Sequence, residues 1–204
     1  MMNLAEYRRT ASRLADYLPW VALVGDGIVL NKDGSFQRTA KFRGPDLDSA
    51  VAAELVAVAG RLNNAFRRLG SGWTIFVEAQ RSEAATYPAS RFPDPAAALV
   101  DAERKADFEE EGSHFVSSYF LTFLWLPPAE DAARSESWLY EGRETSGVNP
   151  WELARGFADR TDRVLALLDG FMPECRWLDD GETLTYLHST ISTNRHRVAV
   201  PETP

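Results

Sequence analysis

Residues 46–81, DLDSAVAAELVAVAGRLNNAFRRLGSGWTIFVEAQR, decide how this chain is built. Leu47, Val51, Leu55, Val58, Leu62, Phe66 and Leu69 recur every three or four positions. That spacing lines side chains along one side of an α-helix. The other side carries Glu54, Arg61, Asn63, Arg67 and Arg68, and Gly70 stands where a left-handed cap would close the helix. Two residues later the period drops to two. Trp73, Ile75, Val77 and Ala79 point one way, and Thr74, Phe76, Glu78 and Gln80 the other. A helix with one apolar stripe that feeds directly into a strand has to lay that stripe on a sheet. The expectation is a helix-on-sheet layer.

The rest of the composition fits such a layer. The chain has 204 residues, 45% hydrophobic and 25% charged, which is enough to bury a core and matches a globular domain. Its net charge of −8 opposes non-specific binding to nucleic acid or to anionic membranes, which depends on basic surface. The single cysteine, Cys175, leaves no partner for a disulfide within these residues and makes a cysteine-based zinc site implausible, as expected of a reducing cytoplasm. No run approaches the ~20 apolar residues that span a bilayer.

Residues 2–18 predict an amphipathic helix carrying Leu4, Tyr7, Ala11, Leu14 and Leu18, stopped by Pro19. It either packs on its own domain or docks on a partner protein or membrane surface. Gly27 to Arg43 predict a hairpin, with Asp33-Gly34 in the turn and Phe36, Arg38, Ala40 and Phe42 alternating on the way out. Residues 82–95 read as a proline-rich loop, and 96–111 as a surface helix with a weak stripe. His114 to Leu126 is apolar on both faces, so it belongs in mid-sheet or beneath another domain or subunit. Residues 129–148 predict a long polar excursion with one apolar cluster, Trp138-Leu139-Tyr140. Asn149-Pro150-Trp151-Glu152 opens a helix whose stripe is Ala154, Phe157, Thr161, Val164, Leu165 and Leu168. A short strand, Cys175 to Leu178, then precedes a helix capped by Asp179-Asp180 and bearing Leu184, Leu187 and Ile191. This alternation predicts an α+β fold, a mainly antiparallel sheet covered by helices, of ferredoxin-like or split βαβ type.

Chemistry-bearing motifs are sparse. A P-loop needs a lysine after glycine, and Lys32, Lys41 and Lys105 do not follow one. The run Val164 to Asp169 looks superficially like a magnesium-holding strand but lies on the helical stripe. His114, His188 and His196 form no zinc-protease motif, and His188 and His196 fall eight apart across a helix end, where a surface role is expected. Glu109-Glu110-Glu111 reads as a solvated helix end. No catalytic, cofactor-binding or metal-binding residue is assigned.

The blocks LNKDGSFQRTAKFRGPDLDS (30–49), LNNAFRRLGSGW (62–73), YPASRFPD (87–94) and the strand from Tyr119 to Pro128 resemble the amino-terminal part of the CagE/TrbE/VirB group of type IV secretion ATPases, TrbE-like members above all. The resemblance implies an arm over 1–20, an α+β module over 21–194 and, over 195–204, the start of a linker to a carboxy-terminal P-loop ATPase domain. Such a parent would use ATP and Mg to power pilus formation and DNA or protein export, peripheral to the cytoplasmic side of the inner membrane. The segment itself is then expected to be a non-catalytic assembly module without a cofactor. Its implied partners are other type IV secretion components, its own ATPase domain, inner-membrane proteins and further copies in a homo-oligomer. No direct nucleic-acid contact is expected. The alternative is a free-standing ferredoxin-like domain that binds single-stranded nucleic acid through Phe36, Phe42 and Trp73. A small enzyme with a site invisible in sequence is the third option.

Overall fold

A computed structural model describes residues 12–84, 86–110, 114–128 and 150–200. In chain order these form α1 (Leu14–Tyr17), β1 (Trp20–Gly25), β2 (Ile28–Asn31), β3 (Phe36–Arg43), α2 (Ala52–Phe66), β4 (Trp73–Glu83), α3 (Pro95–Glu110), β5 (Phe115–Trp125), α4 (Pro150–Asp169), β6 (Glu174–Trp177) and α5 (Asp180–Ile191). The sheet runs β1-β2-β3-β5-β4, and β6 also pairs with β3. Every pairing is antiparallel. Taking β3, α2, β4, β5, α4 and β6 alone, the order β6-β3-β5-β4 is the split βαβ arrangement expected from the sequence. The β1–β2 hairpin extends it, and α3 is inserted between β4 and β5.

Strand alternation sends Phe36, Ala40, Leu121, Phe123 and Trp125 to one face, where α2 and α4 pack. The α4 stripe is buried at all six positions read from its periodicity. Phe157 sits at the centre, its ring 5.9 Å from Phe36, 5.5 Å from Trp73 and 6.4 Å from Trp125. The opposite face is covered by α5, through Tyr186 and Leu187 against Val29 and the flank of Phe120. At the first face Arg38 of β3 donates to Asp162 of α4 at 2.7 Å and lies 4.2 Å from the Trp177 ring of β6. Trp177 Nε1 donates to the same carboxylate at 2.7 Å.

Four sequence expectations change. Strand β1 is absent from the sequence reading because its pairing with β2 is irregular at two points, which breaks the period of two, although Asp26-Gly27 marks its turn. Gly27 adopts φ +66°, and a Cβ there would collide with the Leu178 carbonyl. Gly70 is not a left-handed cap: α2 ends at Phe66, Arg67 stays right-handed, and positive φ falls at Gly72 (+83°) beside the Leu126 carbonyl. Ser82 and Glu83, expected in a loop, pair with Val116 and Phe115, because β5 runs far enough to hold them in the ladder. In the Asp33-Gly34 turn only Gly34 takes positive φ (+79°); Asp33 Oδ1 instead accepts from the Ser35 amide at 3.0 Å. The expected stripe of the 2–18 helix lies mostly outside the described residues, and within them only Leu14–Tyr17 is helical. The Trp138-Leu139-Tyr140 cluster lies outside them altogether.

Two stability measurements check this packing. Phe157→Ala should cost about 3–5 kcal/mol in urea unfolding, as a fully buried ring stacked on three others. The second concerns Glu182, which receives two Arg176 hydrogen bonds of 2.7 and 2.8 Å that hold its carboxyl below the usual range. Its contribution is present above the ordinary carboxylate pKa and fades as pH falls through the lowered one. Side-chain exposures of 46% and 35% screen the pair, so Glu182→Gln should lose only about 0.5–1 kcal/mol at neutral pH. Its stability should converge on that of the unmodified chain in acid.

Candidate functional site

The residues singled out in the sequence fall into three places. Val164, Leu165 and Leu168 are core residues of α4, so the run ending at Asp169 packs the sheet. Phe36 and Trp73 lie under the Phe157 ring and Phe42 is partly buried beside Tyr119, so the three proposed base-stacking rings are committed to the core. His114 stacks on Phe108 at 3.9 Å, and its Nε2 lies 2.8 Å from the Phe108 carbonyl, fastening the end of α3. Cys175 is buried, and burial first, then Asp169 and Glu174, push its thiol up to about 11. Among the described residues, no three His, Cys, Asp or Glu side chains gather as metal ligands would.

One surface stands out by what does not cover it. The α2 stripe is expected from its period to lie on the sheet along its whole length. Only its carboxy-terminal half does so, with Leu62, Phe66 and Leu69 reaching the core and Phe66 6.5 Å from Phe123. The amino-terminal half leaves Val51 61% and Leu55 45% exposed, with Val56 beside them. Sheet length is the reason: Ile75 and Phe123 are covered, but their same-face successors Val77 and Tyr119 are not. Val77 is 68% exposed. Further out, the β4–β5 ribbon continues as a two-stranded arm with Phe115 (52% exposed) on this face and Val116 on the other. Apolar side chains left in water on both faces of an arm mark a contact surface. On α3, Leu99 and Val100 add to it, as the weak stripe implies for a surface helix.

The second feature is a cleft of about 600 Å³ on the opposite sheet face, between α5 and residues 195–197. Phe120 and Tyr186, with rings 4.7 Å apart, contribute apolar walls. Tyr186 donates to Glu78 at 2.8 Å; burial above all, helped by Glu78, pushes its hydroxyl up to about 12. Around these rings stand Lys41, Arg176, Arg195, Arg197, His188 and His196. Their spacing suggests that His188 and His196 are separate surface residues, yet their rings are 4.4 Å apart. The segment after α5 doubles back on the helix, fixed by the Val198 amide donating to Thr185 Oγ1 at 2.9 Å. No spacing rule reports such a reversal; the only hint is the run Arg195-His196-Arg197 itself.

The apolar surface can be checked for structural neutrality. Val77→Asp with Phe115→Asp should change unfolding free energy by no more than about 1 kcal/mol, against the several lost with Phe157→Ala. Binding of a hydrophobic dye to the native state should fall in the same variant.

Residues 27–133 match the N-terminal domain of the type IV secretion system ATPase VirB4/TrbE. The conjugal transfer protein TrbE of Rhizobium radiobacter is 38% identical over 221 aligned positions, covering 100% of this chain and 27% of that protein. A probable conjugal transfer protein TrbE of Sinorhizobium fredii (strain NBRC 101917 / NGR234) is 39% identical over 130 positions, covering 62% of this chain and 87% of that protein. The chain therefore spans about a quarter of the first relative's length and most of the second's.

Proposed function

This chain belongs to the VirB4/TrbE family of type IV secretion ATPases as its N-terminal domain, and we propose that it acts there as a non-catalytic assembly and partner-binding module. The observation that carries this reading is the apolar surface left open by the short reach of α2 and the projecting β4–β5 arm. In this reading the arm docks on other components of the same secretion assembly, including further copies of the chain and inner-membrane proteins. A carboxy-terminal ATPase domain of the parent would bind ATP and Mg and power pilus biogenesis and DNA or protein export, peripheral to the inner membrane on its cytoplasmic side. The N-terminal domain would position that motor and hold it to its neighbours.

The apolar character of the arm supports association rather than catalysis. Strand-borne side chains such as Val77, Phe115 and Val116 have fixed directions, so their surface needs little ordering on contact. Neither face of the arm offers a group of acids and bases poised for proton transfer.

Sedimentation of the chain, and capture of purified inner-membrane secretion components by it, test the proposal. Association should weaken about tenfold or more in the Val77→Asp, Phe115→Asp double variant, because such central apolar anchors dominate binding energy. A chain that stays strictly monomeric and captures none of those components would refute it.

A further inference from the structure

We propose that the cleft between α5 and residues 195–197 binds a small phosphorylated organic anion. The cleft's volume of about 600 Å³ falls in the ~300–1,000 Å³ range of small-molecule sites. Its charge runs against that of the whole chain, which is −8. Four fixed cations line it, and the carboxylates nearby are already engaged. Asp179 Oδ1 accepts from the Glu182 amide at 2.7 Å as the cap of α5, and Glu182 is held by both Arg176 nitrogens. Glu174 sits 3.9 Å from Lys41, and Glu78 accepts from Tyr186 and Gln80.

Arg195 and Arg197 are different, having no carboxylate partner among the described residues. Arg195 makes one long contact of 3.5 Å to the Arg81 carbonyl. They flank His196, whose ring faces His188, and His188 Nδ1 is buried without a hydrogen-bond partner among the described residues. Two unpaired guanidinium forks match the oxygens of a phosphate, which accept bidentate hydrogen bonds. The aromatic walls at Phe120 and Tyr186 then suit an organic group attached to it, so a bare inorganic ion would use only half the cleft. Because Val198 is tied to Thr185, the two arginines are held at the rim rather than swinging freely, which lowers the entropy lost on binding. This site lies on the sheet face opposite the α2 surface and is independent of the assembly reading.

Titration calorimetry of the chain with adenosine monophosphate, inorganic phosphate and uncharged adenosine tests the site. Flotation with phosphatidylcholine vesicles, with and without phosphatidic acid, tests whether the phosphate is carried by a soluble ester or a lipid headgroup. The proposal expects adenosine monophosphate, or the phosphatidic acid vesicles, to bind more tightly than inorganic phosphate or adenosine. It expects Arg195→Gln with Arg197→Gln to weaken that binding about tenfold or more. The same charge change at the exposed Arg67 and Arg68 should leave it intact, and circular dichroism should show both variants folded. Binding of no phosphate-bearing probe at low salt, or equal loss in both double variants, would overturn it.

Discussion

Everything in this domain depends on β3 using both of its hydrogen-bonding edges. Along one edge, Phe36 to Phe42 pair with β5. The other edge is divided: β2 takes Phe36 to Arg38 and β6 takes Ala40 to Arg43. One eight-residue strand thereby joins the amino-terminal hairpin, the central ribbon and the last strand, elements more than 130 residues apart in the chain. Arg38 marks the seam between β2 and β6. Its guanidinium reaches Asp162 and covers Trp177, so a single polar contact couples strand, helix and final strand. A buried cation without a partner would be costly, and the half-exposed Asp162 satisfies it where water can still reach the pair.

With β3 fixed, the two faces of the sheet take different fates. The α4 face is dry and aromatic, and Phe157 fills it. Because α2 is longer than the sheet area available to it, part of its stripe and the outer half of β4–β5 remain uncovered on this same face. The other face is closed by one short helix, α5, and by the segment that doubles back along it. Where that cover is incomplete, the polar cleft forms. Both surfaces thus arise from one mismatch of lengths between helices and strands.

The α+β class, the antiparallel sheet and nearly every element are legible in the sequence. Strongly periodic segments announce themselves, and the α4 stripe can be read residue by residue. Failures come where local pattern and tertiary partner disagree. β1 is bulged, so its alternation is broken. Gly70 has the composition of a cap, but the turn into β4 places its positive φ two residues on, at Gly72, where Leu126 crosses close by. The stripe of α2 says which side seeks cover; it cannot say how much cover exists.

What the sequence determined by itself was the layer type, the core faces and the family likeness, because these rest on periodicity and on side chains near one another in the chain. The tertiary structure alone decided which apolar side chains stay in water, since that depends on where α2 ends relative to β4 and β5. It also decided that Lys41, Arg176, Arg195 and Arg197 share one cleft. They are brought together by strand pairing between β3 and β6 and by a hydrogen bond from Val198 to Thr185, contacts between distant segments that leave no periodic trace.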